Sequence, residues 1–126
     1  MLIHYLNIGL GGALGAVTRV LLANALPSTI FRYIPLQILA INVLGCLTMG
    51  LLTGLMTFYW QPSINFRSFL TTGFLGGFTT FSAFALDFGL LIERGLTFYA
   101  LLYVILSIVL SLSCFFLGLK AIAICS

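Results

Sequence analysis

Charge is what this sequence has least of: five Lys or Arg and two Asp or Glu in 126 residues, or 6%. Soluble domains carry about 25% charged residues, whereas 62% of this chain is hydrophobic. A water-soluble fold is excluded, and the chain reads as an integral membrane protein. The net charge is +3, from basic residues that never form a run, so no nucleic-acid surface is expected. Cys46, Cys114 and Cys125 follow no metal-ligand spacing. Cys46 and Cys114 fall in apolar runs and read as small buried thiols. There is no Ser–His–Asp set, no His-Glu-x-x-His and no phosphate loop, which argues against an enzyme. Asp87 and Glu93 lie toward one end of their segment, and the single histidine, His4, is at the N-terminus. Pumps and proton-coupled carriers place such a group in mid-membrane, so that class is disfavoured too. Ala23-Asn24-Ala25 resembles a signal cleavage site, but no Lys or Arg precedes the first apolar run and Arg19 lies within it. It reads as a mature membrane helix.

What is present is four apolar segments with short polar joints. They predict an all-α membrane protein, one domain over residues 1–126, with helices over 4–26, 36–59, 67–92 and 96–120. A span needs about 20 apolar residues, and the chain has room for about four. Pro27 ends the first helix and Pro35 opens the second. Tyr59 and Trp60 close the second helix, where an aromatic belt is expected. Gly11 and Gly15, and again Gly50 and Gly54, stand four apart. Small residues at that spacing let a second backbone come close.

The third segment carries the anomaly. Residues 72–84 include Gly76-Gly77 and then Thr79-Thr80. Each Gly gives up about 1 kcal/mol of helix propensity relative to Ala, and the β-branched, hydroxyl-bearing Thr pair is the second feature a spanning helix least wants. Backbone groups freed in hydrocarbon survive only against protein, water or an ion. Two half-helices are therefore expected, one ending near Leu75 and one starting near Thr80. Gly76 can take a positive φ, whereas a β-branched residue there could not without strain.

Polar side chains inside the spans are few. Asn42 is the lone amide deep in the second helix, either interhelical glue or a donor to an anion in a pore. Tyr103, Ser107 and Ser111 recur every four residues along one helix face. They form a hydroxyl ladder about 12 Å long, either a polar track or plain packing. Phe81 and Phe84 stand three apart on the second half-helix. A ring edge is positive and can meet a small anion, although core packing is the commoner use.

These residues also carry a family resemblance. Residues 73–84, Gly-Phe-Leu-Gly-Gly-Phe-Thr-Thr-Phe-Ser-Ala-Phe, resemble the signature of the Fluc (CrcB) fluoride channels. Asn42-Val43-Leu44-Gly45, Gly15-Ala16-Val17-Thr18-Arg19 and Glu93-Arg94-Gly95 resemble that family's motifs in the same order. The resemblance implies a fluoride-specific channel in a prokaryotic inner membrane, passively exporting fluoride and relieving its toxicity. It implies an antiparallel, dual-topology homodimer among membrane lipid. Asn42, Phe81, Phe84, Ser82, Tyr103, Ser107 and Ser111 would line the fluoride pore, and Arg19 its vestibule. A structural sodium ion on the dimer axis would be held by the main-chain carbonyls of Gly76 and Thr79. Gln37-Ile38 departs from the pattern at the vestibule hydroxyl, Ala83 replaces a frequent Thr, and Phe115 replaces a Thr that often extends the fourth-helix track, which leaves the polar track shorter. The alternative is a dual-topology small multidrug exporter, but it needs a membrane-embedded Glu in the first helix, and none is there.

Four spans put both termini on one side. Arg19, Arg32 and Arg94 then lie toward one face, and Arg67 and Lys120 toward the other. Basic residues orient membrane proteins by their asymmetry, and here there is almost none. A C-terminal reporter should therefore be found on both sides of the membrane in a single culture. A reporter confined to one side would contradict dual insertion.

Overall fold

A computed structural model describes every residue from Met1 to Ser126. Four helical spans are long and apolar enough to cross a membrane: Leu2–Ala25, Leu36–Phe58, Ile64–Glu93 and Thr97–Cys125. Only 16 of 126 residues are buried, and Leu, Ile, Val and Phe side chains project outward along every span. Such a surface is stable only against hydrocarbon. The chain is a multi-pass membrane protein.

Helix α1 (Leu2–Ala25) leads to a two-stranded hairpin, β1 (Thr29–Ile30) and β2 (Ile34–Pro35), which the sequence did not announce. The strands are antiparallel, with Ile30 opposite Ile34. Phe31 and Arg32 make the turn at φ of 49° and 77°, a left-handed geometry uncommon outside glycine. Pro35 caps α2 (Leu36–Phe58). The third crossing is built in pieces: α3 (Ile64–Ser68), a π-helical stretch (Phe69–Leu75), α4 (Gly76–Phe78) and α5 (Phe81–Glu93). Gly95, at φ +73°, closes α5. The Leu96 N–H reaches back to the Leu91 carbonyl at 2.9 Å and the Gly95 N–H to Ile92 at 3.0 Å, a glycine-dependent helix stop. Helix α6 (Thr97–Cys125) completes the fold.

The interruption of the third span is real: the first half runs to Phe78, three residues past the expected Leu75, and the second starts at Phe81 with Thr80 as its N-cap, as expected. Gly76 and Gly77 are helical, and Gly76 has φ −62° and ψ −38°. Gly76 does not use the positive φ open to it. The chain leaves the helix instead at Thr79 (φ −82°, ψ 157°) and Thr80 (φ −153°, ψ 122°). Thr is β-branched and suits extended backbone, so the threonine pair makes the break and the glycine pair serves packing. The π-helical stretch just before it has no evident sequence signal.

Close backbone approach sets the rest. A Cβ on Gly77 would lie 2.9 Å from the Gly12 Cα, and one on Gly15 would lie 2.9 Å from the Phe78 N and collide with the Phe74 carbonyl. Helix α1 is thereby seated on the broken span. On the other side, a Cβ on Gly118 of α6 would stand 2.6 Å from the Leu47 carbonyl of α2, while Gly50 faces the Phe115 backbone. Both Gly-x-x-x-Gly pairs therefore work as packing faces. A small cluster, Ile34, Leu39, Leu91, Ala100 and Tyr103, ties the hairpin, α2, α5 and α6 together.

Two substitutions on one helix separate space from propensity. Gly15→Ala should gain about 1 kcal/mol of helix propensity but force the broken span away, an overpacking cost of about 1–3 kcal/mol. Gly12→Ala meets only the Gly73 carbonyl at an ordinary 3.8 Å and should be neutral or stabilising. Thermal unfolding in detergent checks both; equal effects would contradict the close packing.

Candidate ion-binding cavity at the helix break

The break frees the backbone of Thr80, and one side chain takes up both of its polar groups. Asn42 Oδ1 accepts from the Thr80 N–H at 2.9 Å, and Asn42 Nδ2 donates to the Thr80 carbonyl at 3.0 Å. An amide matches a peptide group because it carries both a donor and an acceptor. Thr80 is also the N-cap of α5: its Oγ1 accepts from the Ala83 N–H at 3.2 Å, the normal use of Thr at a helix start. Thr79 stays tied to the end of the π-helical stretch, with both its N–H (3.0 Å) and its Oγ1 (2.9 Å) donating to the Leu75 carbonyl.

Beside this clamp lies a cavity of about 360 Å³. Asn42, Phe81, Phe84, Ser107 and Ser111 all line it, so five of the sequence-predicted pore residues meet there, from α2, α5 and α6. Thr79, Thr80 and Cys46 line it as well. The Phe81 and Phe84 rings are 5.4 Å apart and tilted by 48°; Phe81 is 80% exposed. Ser107 is only 8% exposed, yet its Oγ has no hydrogen-bond partner. In an apolar surrounding an unpartnered hydroxyl costs on the order of 1–3 kcal/mol, so this position is prepared for something that is polar.

The other predicted residues lie outside the cavity. Ser82 is exposed, its Oγ 3.2 Å from Thr80 Oγ1. Arg19 is half-buried on α1 and lines neither this cavity nor the next. Gly76 is exposed, one turn before the break. Tyr103 is fully buried, its ring 5.1 Å from that of Phe84. Its hydroxyl donates to Asp87 Oδ2 at 3.0 Å. The hydroxyl ladder is thus divided: Ser107 and Ser111 face the cavity, and Tyr103 faces the carboxylate. Asp87 in turn lines a second cavity of about 340 Å³, shared with Tyr33, Gln37 and Arg94 near the hairpin end. Sequence reasoning missed Thr80, Cys46 and Asp87. Cys46 had a usable signal, since it follows Asn42 by four residues on the same helix face. The Asp87–Tyr103 pair joins two helices and had none. No group of three or more His, Cys, Asp or Glu side chains could hold a metal ion.

Comparison with known proteins gives the family. Residues 6–119 match the family described as CrcB-like protein, Camphor Resistance (CrcB). The chain is 44% identical over 117 residues to a protein of Rhodospirillum centenum, covering 93% of each chain. It is 44% identical over 118 residues to one of Rhodopseudomonas palustris, covering 94% of this chain and 95% of the other. A third, from Paracoccus denitrificans, is 47% identical over 115 residues, covering 91% and 90%. All three are named fluoride-specific ion channel FluC. With four membrane spans, a third span broken at paired threonines, and a family match over nearly its whole length, this chain belongs to the CrcB-like family.

Proposed function

We propose that this protein is a fluoride channel of a prokaryotic inner membrane, passing fluoride out of the cytoplasm down its electrochemical gradient without an enzymatic step. One observation carries the reading beyond the names of its relatives: an amide, two serines and two phenylalanines converge on one cavity at the break. Fluoride is small and strongly hydrated, so a path must replace its water with donors. Asn42 spends one N–H on Thr80 and keeps a second. Ser107 and Ser111 offer hydroxyls, and Phe81 and Phe84 offer positive ring edges. Several moderate sites favour conduction over tight binding. Ser82 sits beside the phenylalanines and Arg19 toward the vestibule. Tyr103 acts through its bond to Asp87.

The functional unit in this reading is an antiparallel homodimer in lipid, with a structural sodium ion on its axis. The local backbone fits such an ion. The Thr80 N–H that a continuous helix would send to the Gly76 carbonyl goes to Asn42 instead. The Thr79 carbonyl receives no backbone N–H. Carbonyl oxygen suits a hard cation, and a twofold mate would bring a second pair. The role of Gly76 is then to present its carbonyl from ordinary helical backbone.

Efflux from proteoliposomes tests the reading. Fluoride should leave rapidly, while chloride and a cationic dye should not, which separates a channel of this kind from a multidrug exporter. Phe81→Ile and Phe84→Ile keep apolar bulk but remove the ring edges. Each should slow fluoride efflux strongly while the dimer persists on gel filtration. Prolonged removal of sodium should inactivate the wild type. Full activity in both variants would return the rings to packing, and full activity without sodium would remove the ion.

A further inference from the structure

A third cavity, of about 260 Å³, lies between α2 and the start of the third span. Met49, Thr53, Met56 and Thr57 line it from α2, and Arg67 and Thr71 from the third span. No acidic side chain is among them. Asp87 is bonded to Tyr103 and lines the cavity near the hairpin, and Glu93 ends α5. The Arg67 charge is thus left without a carboxylate, and the conduction reading gives it no task. The three hydroxyls rest on their own helices. Thr53 Oγ1 donates to the Met49 carbonyl at 2.7 Å, Thr57 Oγ1 to Thr53 at 2.7 Å, and Thr71 Oγ1 to Arg67 at 2.9 Å. A hydroxyl rotor can turn from such a carbonyl to an anion beside it.

The place of this cavity along α2 gives it a use. Asn42, Cys46, Met49, Thr53 and Met56 follow at intervals of four, three, four and three, which is one face of a helix. The first two line the cavity at the break, and the last three line this one. The two chambers therefore lie end to end along one face of α2, with the third span as a wall of both. On α6 the hydroxyl ladder stops at Ser111, because Phe115 follows. Past Cys46, the next hydroxyl on this face of α2 is Thr53.

We infer that this cavity is an anion-collecting mouth of the fluoride path, where Arg67 draws the ion in and the hydroxyls of Thr53, Thr57 and Thr71 begin to replace its water. A recess lined by charge of one sign raises the local concentration of the opposite ion. Guanidinium keeps its charge at any working pH and is weakly hydrated, so it holds a small anion loosely at the water boundary. From Thr57 to Met49 the lining covers about 12 Å of α2, at 1.5 Å per residue, and leads toward Cys46 and Asn42. The role in transport rests on the proposed fluoride conduction; the anion-attracting recess does not.

The experiment uses the full-length protein in phosphatidylcholine nanodiscs, with Thr53→Cys as the only thiol and the three native cysteines changed to serine. Two methanethiosulfonates probe it, one carrying a sulfonate and one a trimethylammonium group, each rate taken relative to that with a free thiol. At about 10 mM salt, where screening is weak, the anionic reagent should react faster by about threefold, the Boltzmann factor of one unit charge about 7 Å away in water. The preference should vanish at about 1 M salt and in Arg67→Gln, and return in Arg67→Lys. No reaction at Thr53→Cys, or a preference that survives Arg67→Gln, overturns the anion site. Fluoride efflux from phosphatidylcholine liposomes, measured on chains with native cysteines and Thr53, then tests the mouth. Arg67→Gln should slow efflux about threefold at low fluoride and approach the wild type at saturating fluoride, while Arg67→Lys stays close to the wild type throughout. An equal loss at every fluoride concentration would make Arg67 structural, and no loss would place the mouth elsewhere; both overturn the inference. A wild type that passes no fluoride would instead refute the proposed function, and the labelling would still decide the anion site.

Discussion

Two hydrogen bonds from Asn42 to the backbone of Thr80 are the constraint on which the rest of this molecule depends. A chain that leaves helical geometry inside hydrocarbon exposes peptide groups that water cannot reach, each costing several kcal/mol. Asn42 meets the N–H and the carbonyl of the same residue, at 2.9 and 3.0 Å. Because it takes the Thr80 N–H, the Gly76 carbonyl loses its helical donor. Because it fixes Thr80, α5 starts in register for its own cap at 3.2 Å. The cavity, the phenylalanine pair and the freed carbonyls all follow from that one amide.

The clamp works only if α2 is held at a fixed depth beside the broken span. Glycine provides this on both sides. Gly50 and Gly118 bring α2 and α6 into backbone contact, and Gly12, Gly15 and Gly77 do the same for α1 and the third span. Such seams suit a membrane, where lipid is as apolar as leucine and helices gain most from close packing. They also place Ser107 and Ser111 of α6 across from Asn42. The few polar groups share one chamber because small residues set the helix spacing.

Much of this was legible in the sequence. Scarcity of charge and four apolar runs gave the spans, with ends shifted by only a few residues. The glycine spacing gave the packing faces. The existence of the break was legible too, and of the two pairs that oppose a continuous helix, Gly-Gly and Thr-Thr, only the threonines carry it. A Gly-Gly pair looks like a helix breaker by propensity, about 1 kcal/mol per residue, yet here close contact with Gly12 keeps Gly77 helical. The extended conformation falls on Thr79-Thr80, whose side chains bond locally to Leu75 and Ala83. The hydroxyl ladder was read as one stripe, and helical periodicity does place the three residues on one face. Periodicity cannot reveal that Tyr103 reaches across to Asp87, because that depends on how α5 docks on α6. Contacts within an element were readable, and contacts between elements were not.

Amide hydrogen exchange at Thr80, followed by NMR in lipid, tests the clamp most directly. The account predicts slow exchange at Thr80 in the wild type and much faster exchange in Asn42→Ala. Ser107→Ala, which changes the same cavity without touching the clamp, should leave Thr80 protected. Equal protection of Thr80 in the wild type and Asn42→Ala would contradict the account.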